Sequence, residues 1–163
     1  MFDKEYVFKG KHADMVKRLT GSLGAGLKKT IFETNYDVYA LAPFVGFLYG
    51  RRSEVDKSID SNTKVFADKM MSESETLKYN YRILMLMIFK DKPQDELTRI
   101  VFKLDNDDDA RKEFDNLYNE YVLGGVEVLY EKIFGEESEL DEYLKNMYSF
   151  MEEFNNRYYA EIV

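Results

Sequence analysis

Two pairs of basic residues are the charges in this sequence best suited to bind an anion. Lys28 and Lys29 follow a glycine-bearing segment, and Arg51 and Arg52 follow a strongly apolar one. Brought together, the four side chains would form a basic corner that contacts an anion, a nucleic acid or a partner protein. The competing interpretation is that the arginines are solvent-exposed and neutralised by nearby carboxylates, because charged runs usually lie on surfaces.

The segment from Gly21 to Gly26, with lysines and Thr30 behind it, resembles the start of a phosphate-binding loop. That loop needs Lys and Ser or Thr directly after its last glycine, so that backbone N–H groups surround the phosphates. Here Leu27 follows Gly26, and the preceding segment has helical rather than strand periodicity. We therefore expect a flexible or helix-capping loop and no nucleotide site.

An acidic run begins like a calcium-binding loop, with Asp105, Asp107 and Asp109 at alternate positions. Ala110 stands where that loop requires glycine, and Asn116 stands where it requires glutamate. Carboxylates also favour the positive end of a helix dipole. The run therefore predicts a loop or a helix N-terminus.

His12 is the only histidine, and the chain has no cysteine. A zinc site would need almost only carboxylate ligands, and the usual Ser-His and Cys-His pairs are missing unless His12 acts alone. The carboxylates lie in solvated-looking runs, and none stands out as a general acid or base. We expect His12 to be a partly buried side chain of the first helix, and we predict no catalytic, cofactor or metal residue.

The chain is unusually aromatic, with 13 Tyr and 12 Phe. Most aromatic side chains in helical stripes belong to a core, but tyrosine is also among the residues that carry interface energy. Tyr143, Tyr148 and Tyr159 lie off the apolar stripe of the last predicted helix. They are therefore candidate exposed residues of an interface.

Helical periodicity predicts about six helices. Capping-box spacing precedes three of them, at Thr34 and Asp37, Ser72 and Glu75, and Ser138 and Asp141. The predicted helices span Lys11 to Leu19, Tyr36 to Tyr49, Ser72 to Lys90, Gln94 to Leu104, Ala110 to Phe134 and the stripe from Leu140 to Tyr158.

The segment from Tyr36 to Tyr49 is apolar nearly all round, which places it at the centre of the fold. Pro43 within it removes one hydrogen bond and should kink or divide the helix.

Gly124 and Gly125 interrupt the longest helix, where glycine is unfavourable, so we expect a neighbouring helix to approach closely there. Tyr36 to Tyr49 is the most plausible neighbour. The last helix should pack internally along Leu140, Leu144, Met147 and Met151.

These elements predict an all-α fold, or nearly so, in which residues 1–163 form a single helical domain. Two segments could be extended and would make at most a small sheet: Lys4–Phe8 and Ile31–Phe32.

The N-terminus lacks the pattern of a signal peptide, and the longest apolar run, Ile83–Phe89, is too short to span a membrane. With no cysteine, a cytoplasmic location is expected.

Two stretches carry a family resemblance: Ile31 to Arg52, and Tyr121 to Tyr130 with its central Gly124-Gly125. They resemble small helical proteins encoded beside bacterial DNA-modification and phage-defence genes, including accessory proteins of DNA phosphorothioation (Dnd) systems. The resemblance implies an accessory role in such a system. It includes no catalytic signature and transfers no functional residue.

Three function classes follow. The favoured one is a non-catalytic protein that binds another protein within a larger bacterial assembly. The second is an acidic DNA mimic that inhibits a nucleic-acid enzyme, consistent with a net charge of −8. The third is an enzyme or ligand-binding module with an unrecognised pocket. We expect a protein partner, no cofactor and no association with a membrane. The sequence leaves open whether the chain forms homo-oligomers. Direct nucleic-acid binding is disfavoured by the charge, except at a local basic corner.

Overall fold

The computed structural model describes residues 1–23, 30–135 and 140–160. Over these residues the chain forms seven helices and one two-stranded sheet, which confirms the prediction of an all-α fold, or nearly so. None of the described helices is both long and apolar enough to span a membrane. In chain order the elements are β1 (Tyr6–Lys9), α1 (Gly10–Leu19), α2 (Asn35–Leu48), β2 (Asn62–Val65), α3 (Ala67–Ser72), α4 (Ser74–Ile88), α5 (Gln94–Phe102), α6 (Asp108–Phe134) and α7 (Leu140–Ala160).

The sheet pairs β1 with β2 in antiparallel register, with Tyr6 opposite Val65. The expected second strand at Ile31–Phe32 was wrong. The Phe32 N–H donates instead to the carbonyl of Leu19, 3.2 Å away, at the C-terminal end of α1. This segment therefore closes the end of a helix, and a strand 30 residues farther along the chain pairs with β1.

Helix α2 begins at the predicted capping box. The Thr34 N–H donates to the Asp37 carboxylate at 2.8 Å, and the Thr34 hydroxyl accepts from the Asp37 N–H. Pro43 is buried inside α2, yet the helix continues through it, so the expected division does not occur. Because α2 lies in the core, contacts on several faces hold the helix together across the missing hydrogen bond.

Helices α2 and α6 make the most extensive contact in the described fold. A Cβ added at Gly125 would overlap the carbonyl group of Ala42 in α2, and one added at Gly46 would overlap the carbonyl oxygen of Tyr121 in α6. The predicted approach of α2 is therefore confirmed at Gly125, whereas Gly124 lies against the backbone of Arg51 and Arg52, in the loop after α2. Glycine here allows backbone contact that any side chain would prevent.

The remaining helix ends agree with the sequence in one place and differ in another. The Asp107 carboxylate accepts from the Ala110 N–H at 2.9 Å and caps α6, and Gly135 ends that helix at φ +55. The predicted box at Ser72 does not form, because the Ser72 hydroxyl donates to the Lys69 carbonyl at the end of α3. Helix α4 begins two residues later, at Ser74, without a side-chain cap. The third box, at Ser138, lies outside the described residues.

Helix α7 packs along a different stripe from the predicted one. Tyr143, Met147, Phe150 and Phe154 face the core, whereas Leu144 and Met151 are exposed. The rotation is set by Tyr143, whose ring packs on Phe134 at 5.0 Å between centroids. Of the predicted stripe, Met147 packs as expected, Leu144 and Met151 do not, and the Leu140 side chain lies outside the described residues.

Candidate functional site

The two arginines after α2 lie against α6. Gly50, at φ +61, ends α2 and turns the chain onto α6, where the Ser53 N–H donates to the Glu120 carbonyl at 3.0 Å. Arg51 donates from both terminal nitrogens to the Glu131 carboxylate, at 3.1 and 3.3 Å. Arg52 forms an ion pair of 3.5 Å with Glu120. Both guanidinium groups are thus neutralised by carboxylates of α6, and the Glu131 carboxylate raises the pKa of Arg51.

Asp56, in the loop between α2 and β2, caps helix α1. Its carboxylate accepts from the Lys11 N–H at 2.7 Å and from the Ser58 N–H at 2.9 Å. These bonds, that from Lys11 above all, lower the pKa of Asp56 to about 2. Gly10 stands at φ +59, and a Cβ there would overlap Asp56, so glycine is needed at this junction.

A buried carboxylate joins this loop to α1 and α6. Glu127 Oε1 accepts from Ser53 Oγ at 2.7 Å, from Lys11 Nζ at 2.8 Å and from His12 Nε2 at 3.0 Å. Its other oxygen lies 3.4 Å from Arg51 Nη1. We call Lys11, His12, Arg51, Ser53 and Glu127 the Glu127 cluster.

The protonation states within the Glu127 cluster follow from burial and hydrogen bonding. Burial raises the pKa of Glu127, but the bonds from Lys11, Ser53 and His12 outweigh it and hold the pKa at about 2. His12 is fully buried, more than predicted, and its burial lowers its pKa despite the bond to Glu127. A neutral imidazole therefore donates to a firmly ionised carboxylate. A carboxylate with so low a pKa, and with three donors on one oxygen, is a weak general base.

Sequence reasoning missed the role of Glu127, although a signal was present. Glu127 lies in an otherwise apolar run, from Val122 to Leu129, inside a long helix. A carboxylate there must be buried, and buried charges are paired. That rule alone would have placed a basic or hydroxyl partner opposite α6.

The proposed basic corner is described only in part. Lys28 and Lys29 lie outside the described residues, and the corner that they would form with Arg51 and Arg52 remains a prediction. In the described part of the chain, no group of three or more His, Asp or Glu side chains is arranged to hold a metal ion.

The three candidate interface tyrosines differ in their surroundings. Tyr148 is 70% exposed, as expected for a residue off the packed stripe. Tyr143 is only 4% exposed, so the expectation that it is exposed was wrong. Its hydroxyl accepts from Arg18 Nη2 at 2.9 Å, and the Arg18 guanidinium lies over the Phe134 ring. The Tyr159 side chain lies outside the described residues.

An apolar surface remains uncovered beside α7. Leu144, Tyr148 and Met151 are 52%, 70% and 66% exposed, and Leu41 of α2 is 39% exposed. We call these four residues the α2/α7 face. Tyr148, Met151 and Leu41 border an open groove of about 720 Å³. The groove is lined by Leu41, Val45, Tyr148, Phe150, Met151, Glu152, Phe154, Asn155 and Asn156.

Comparison with known families identifies the chain. A family model described as DNA sulphur modification system-associated protein 4 matches residues 9–160, which contain both the Glu127 cluster and the α2/α7 face. No curated protein and no solved structure matches the chain. The family match confirms the resemblance seen in Ile31–Arg52 and Tyr121–Tyr130. The chain therefore belongs to the family of DNA sulphur modification system-associated protein 4.

Proposed function

We propose that this chain is a non-catalytic accessory protein, which works in a DNA sulphur modification system by binding another protein through the α2/α7 face. The observation that carries the proposal is the apolar stripe of Leu144, Tyr148 and Met151, exposed beside an open groove. Contiguous apolar surface of this kind, rimmed by polar residues, is typical of protein interaction sites.

The shape of the α2/α7 face suits a helix. Its α7 residues are spaced by four and three positions, which is the spacing that lines one side of a helix. A partner helix in the groove would contact Tyr148 and Met151 with its own apolar stripe, the helix-in-groove mode of recognition. Glu152 lies in the groove, and the chain carries a net charge of −8. We therefore assign a partner helix with basic residues beside its apolar stripe.

The chemistry of the Glu127 cluster supports a role without catalysis. His12, the only histidine, is fully buried and donates to Glu127. The carboxylate in turn is held at a pKa of about 2 by donors from α1 and the loop after α2. These groups are better suited to hold α1, α6 and the loop after α2 together than to transfer protons at neutral pH.

The test is a capture experiment in cells that contain the modification system. The tagged chain is compared with the double variant Tyr148→Ser, Met151→Ser, and the captured proteins are identified by mass spectrometry. We expect the natural chain to retain another protein of the DNA sulphur modification system. The double variant should lose most of it, because two central side chains of the interface are removed.

The matched control is Met71→Ser, Tyr79→Ser, which changes the same residue types on α3 and α4, where they are 53% and 64% exposed. This control should retain the partner. Equal loss from both double variants, or equal retention by both, would place the interface elsewhere. Capture of no protein of the modification system by the natural chain would contradict the proposed function.

A further inference from the structure

A second concave site lies on the opposite side of α2 from the groove residues, between the N-terminal segment, α4 and the first half of α6. It encloses about 410 Å³, a volume in the range of small-molecule sites. We call it the tyrosine cavity. Its aromatic lining includes Phe2, Tyr39, Tyr81 and Tyr118, and its polar lining includes Asp115, Asn116 and Asn119.

The Tyr118 hydroxyl is a buried polar group without a protein partner. The side chain is 2% exposed, and among the described residues nothing hydrogen-bonds its hydroxyl. Such a group is unfavourable unless it gains a partner. Burial raises the pKa of Tyr118, so the hydroxyl stays protonated and able to donate at neutral pH. Tyr81, on the adjoining wall, lies beside Asp115, and its pKa is raised by burial and by that carboxylate.

Phe2 covers this part of the cavity. Its ring packs edge-to-face on Tyr81 at 6.3 Å and on Tyr118 at 6.2 Å. Within the described chain Phe2 is also the one non-glycine residue with a positive φ, at 59°, a conformation uncommon for side-chain-bearing residues. An aromatic ring is thus held against Tyr81 and Tyr118 by a residue in an unfavourable backbone conformation.

We infer that the tyrosine cavity binds a nucleobase, which takes the place of the Phe2 ring. A planar heterocycle would pack between the Tyr81 and Tyr118 rings, against aromatic side chains of the kind that bases contact. Its ring nitrogen or carbonyl would accept from the Tyr118 hydroxyl, and its amino group would donate to Asp115. The side-chain amides of Asn116 and Asn119 add the donor and acceptor pairs that read base edges.

The cavity has no excess of positive charge, which suits an uncharged nucleoside better than a polyphosphate. Arg111 is the buried cation, and its guanidinium is already bonded to the Asp115 and Asp108 carboxylates and to the carbonyls of Leu104 and Asp105. Each nitrogen of the Arg111 guanidinium therefore already donates to a protein acceptor. The charges of the lining balance, because the carboxylates of Asp3, Glu5, Asp108 and Asp115 are matched by Lys4, Arg111, Lys112 and the Met1 α-ammonium group.

The probes are adenosine, guanosine, cytidine and thymidine, together with a single-stranded oligonucleotide that contains all four bases. Isothermal titration calorimetry compares the natural chain with Phe2→Ala and Tyr118→Phe. We expect saturable binding of at least one nucleoside, about tenfold tighter in Phe2→Ala because the ring no longer competes. Tyr118→Phe should bind roughly three- to tenfold more weakly, since one hydrogen bond is lost.

Stability separates this role from a structural one. Because the Tyr118 hydroxyl has no protein partner, Tyr118→Phe should leave the melting temperature of the free protein unchanged or raise it. The control Tyr79→Phe, on the exposed face of α4, should alter neither binding nor stability. Binding of the oligonucleotide alone, weakened by Tyr118→Phe, would support the pocket with a polymer as the source of the base. Lack of saturable binding to Phe2→Ala by every probe, or equal binding by Tyr118→Phe, would overturn the inference.

Discussion

At the scale of single residues, Glu127 has the most consequential environment in the chain. Its carboxylate joins α1, the loop after α2 and α6 through Lys11, Ser53 and His12. Removing the charge leaves the surrounding donors without an ionised acceptor. Hydrogen bonds to charged groups contribute about 1.5–3 kcal/mol, so Glu127→Gln should lower the free energy of unfolding by about that amount at pH 7.

The pH dependence of this effect follows from the pKa of Glu127. That pKa is about 2 in the folded chain and 4.5 ordinarily, so the stabilisation is complete above pH 4.5 and is lost as the pH falls toward 2. The difference in unfolding free energy between the natural chain and Glu127→Gln should therefore shrink across that range, as urea titrations at pH 7, 4 and 3 would measure. A difference that stays constant would contradict the assignment, and Glu113→Gln, exposed on the same helix, is the control.

The residue scale is also where sequence reasoning succeeded least. Arg51 and Arg52 were recognised as notable charges, but their partners lie on α6, about 70 to 80 positions away in the chain. Neighbouring carboxylates were the only partners that the sequence could suggest, and one of these, Asp56, caps α1 instead. Pairings across distant segments depend on how the helices are placed, which local spacing does not encode.

At the scale of elements, two capping boxes with the same spacing have different outcomes. Thr34 forms its box with Asp37, whereas the Ser72 hydroxyl bonds the Lys69 carbonyl at the end of the preceding helix. Thr34→Ala should therefore lower the free energy of unfolding by about 1 kcal/mol, the usual value of an N-cap. Ser72→Ala should change it by less than about 0.5 kcal/mol, as for most surface substitutions. Equal effects in thermal unfolding would contradict the two assignments.

The contact of α2 with α6 depends on glycine. In an isolated helix, Gly125→Ala would be favourable by about 1 kcal/mol. Here the added methyl group would overlap the backbone of Ala42, so the two helices must separate. We expect a net loss of about 1–3 kcal/mol in the free energy of unfolding, measured by urea denaturation. A variant at least as stable as the natural chain would show that the helices do not lie so close.

Hydrophobic patterns predicted the positions of most helices but not the rotation of α7. The stripe from Leu140 to Met151 is apolar at helical spacing, yet a second stripe through Tyr143, Met147 and Phe150 is equally so. Tertiary contacts decide between them, because the Tyr143 ring fits against Phe134 and its hydroxyl against Arg18. Met147 belongs to both stripes and is packed, whereas Leu144 and Met151 of the first stripe are left exposed. The exposed stripe became the candidate interface.

This rotation changes which variants test an interface. Tyr143→Ala would remove a buried ring, at a cost of about 3–5 kcal/mol, and would report on folding rather than on binding. Arg51→Glu would likewise place a third carboxylate beside Glu127 and Glu131. Tyr148 and Met151, which protrude from α7, can be changed without removing core contacts.

At the scale of the whole molecule, the sequence predicted a mainly helical fold, its central helix and its family relationship. The same scale contains what the sequence did not reveal: the groove beside α7 and the tyrosine cavity are both formed by segments far apart in the chain. The tyrosine cavity also supports the sequence-based alternative of a ligand-binding module. The proposed protein-binding face and the proposed ligand site are lined by different residues, so both are compatible with one accessory role.

Site-specific photo-crosslinking tests the central claim most directly. A photoreactive phenylalanine analogue is placed at Tyr148 or, as the control, at Tyr79, in cells that contain the DNA sulphur modification system. The account predicts a crosslinked product from position 148 that contains another protein of the system, and no such product from position 79. Crosslinks from position 148 that contain only a second copy of this chain, or the same product from both positions, would contradict binding of that partner through the α2/α7 face.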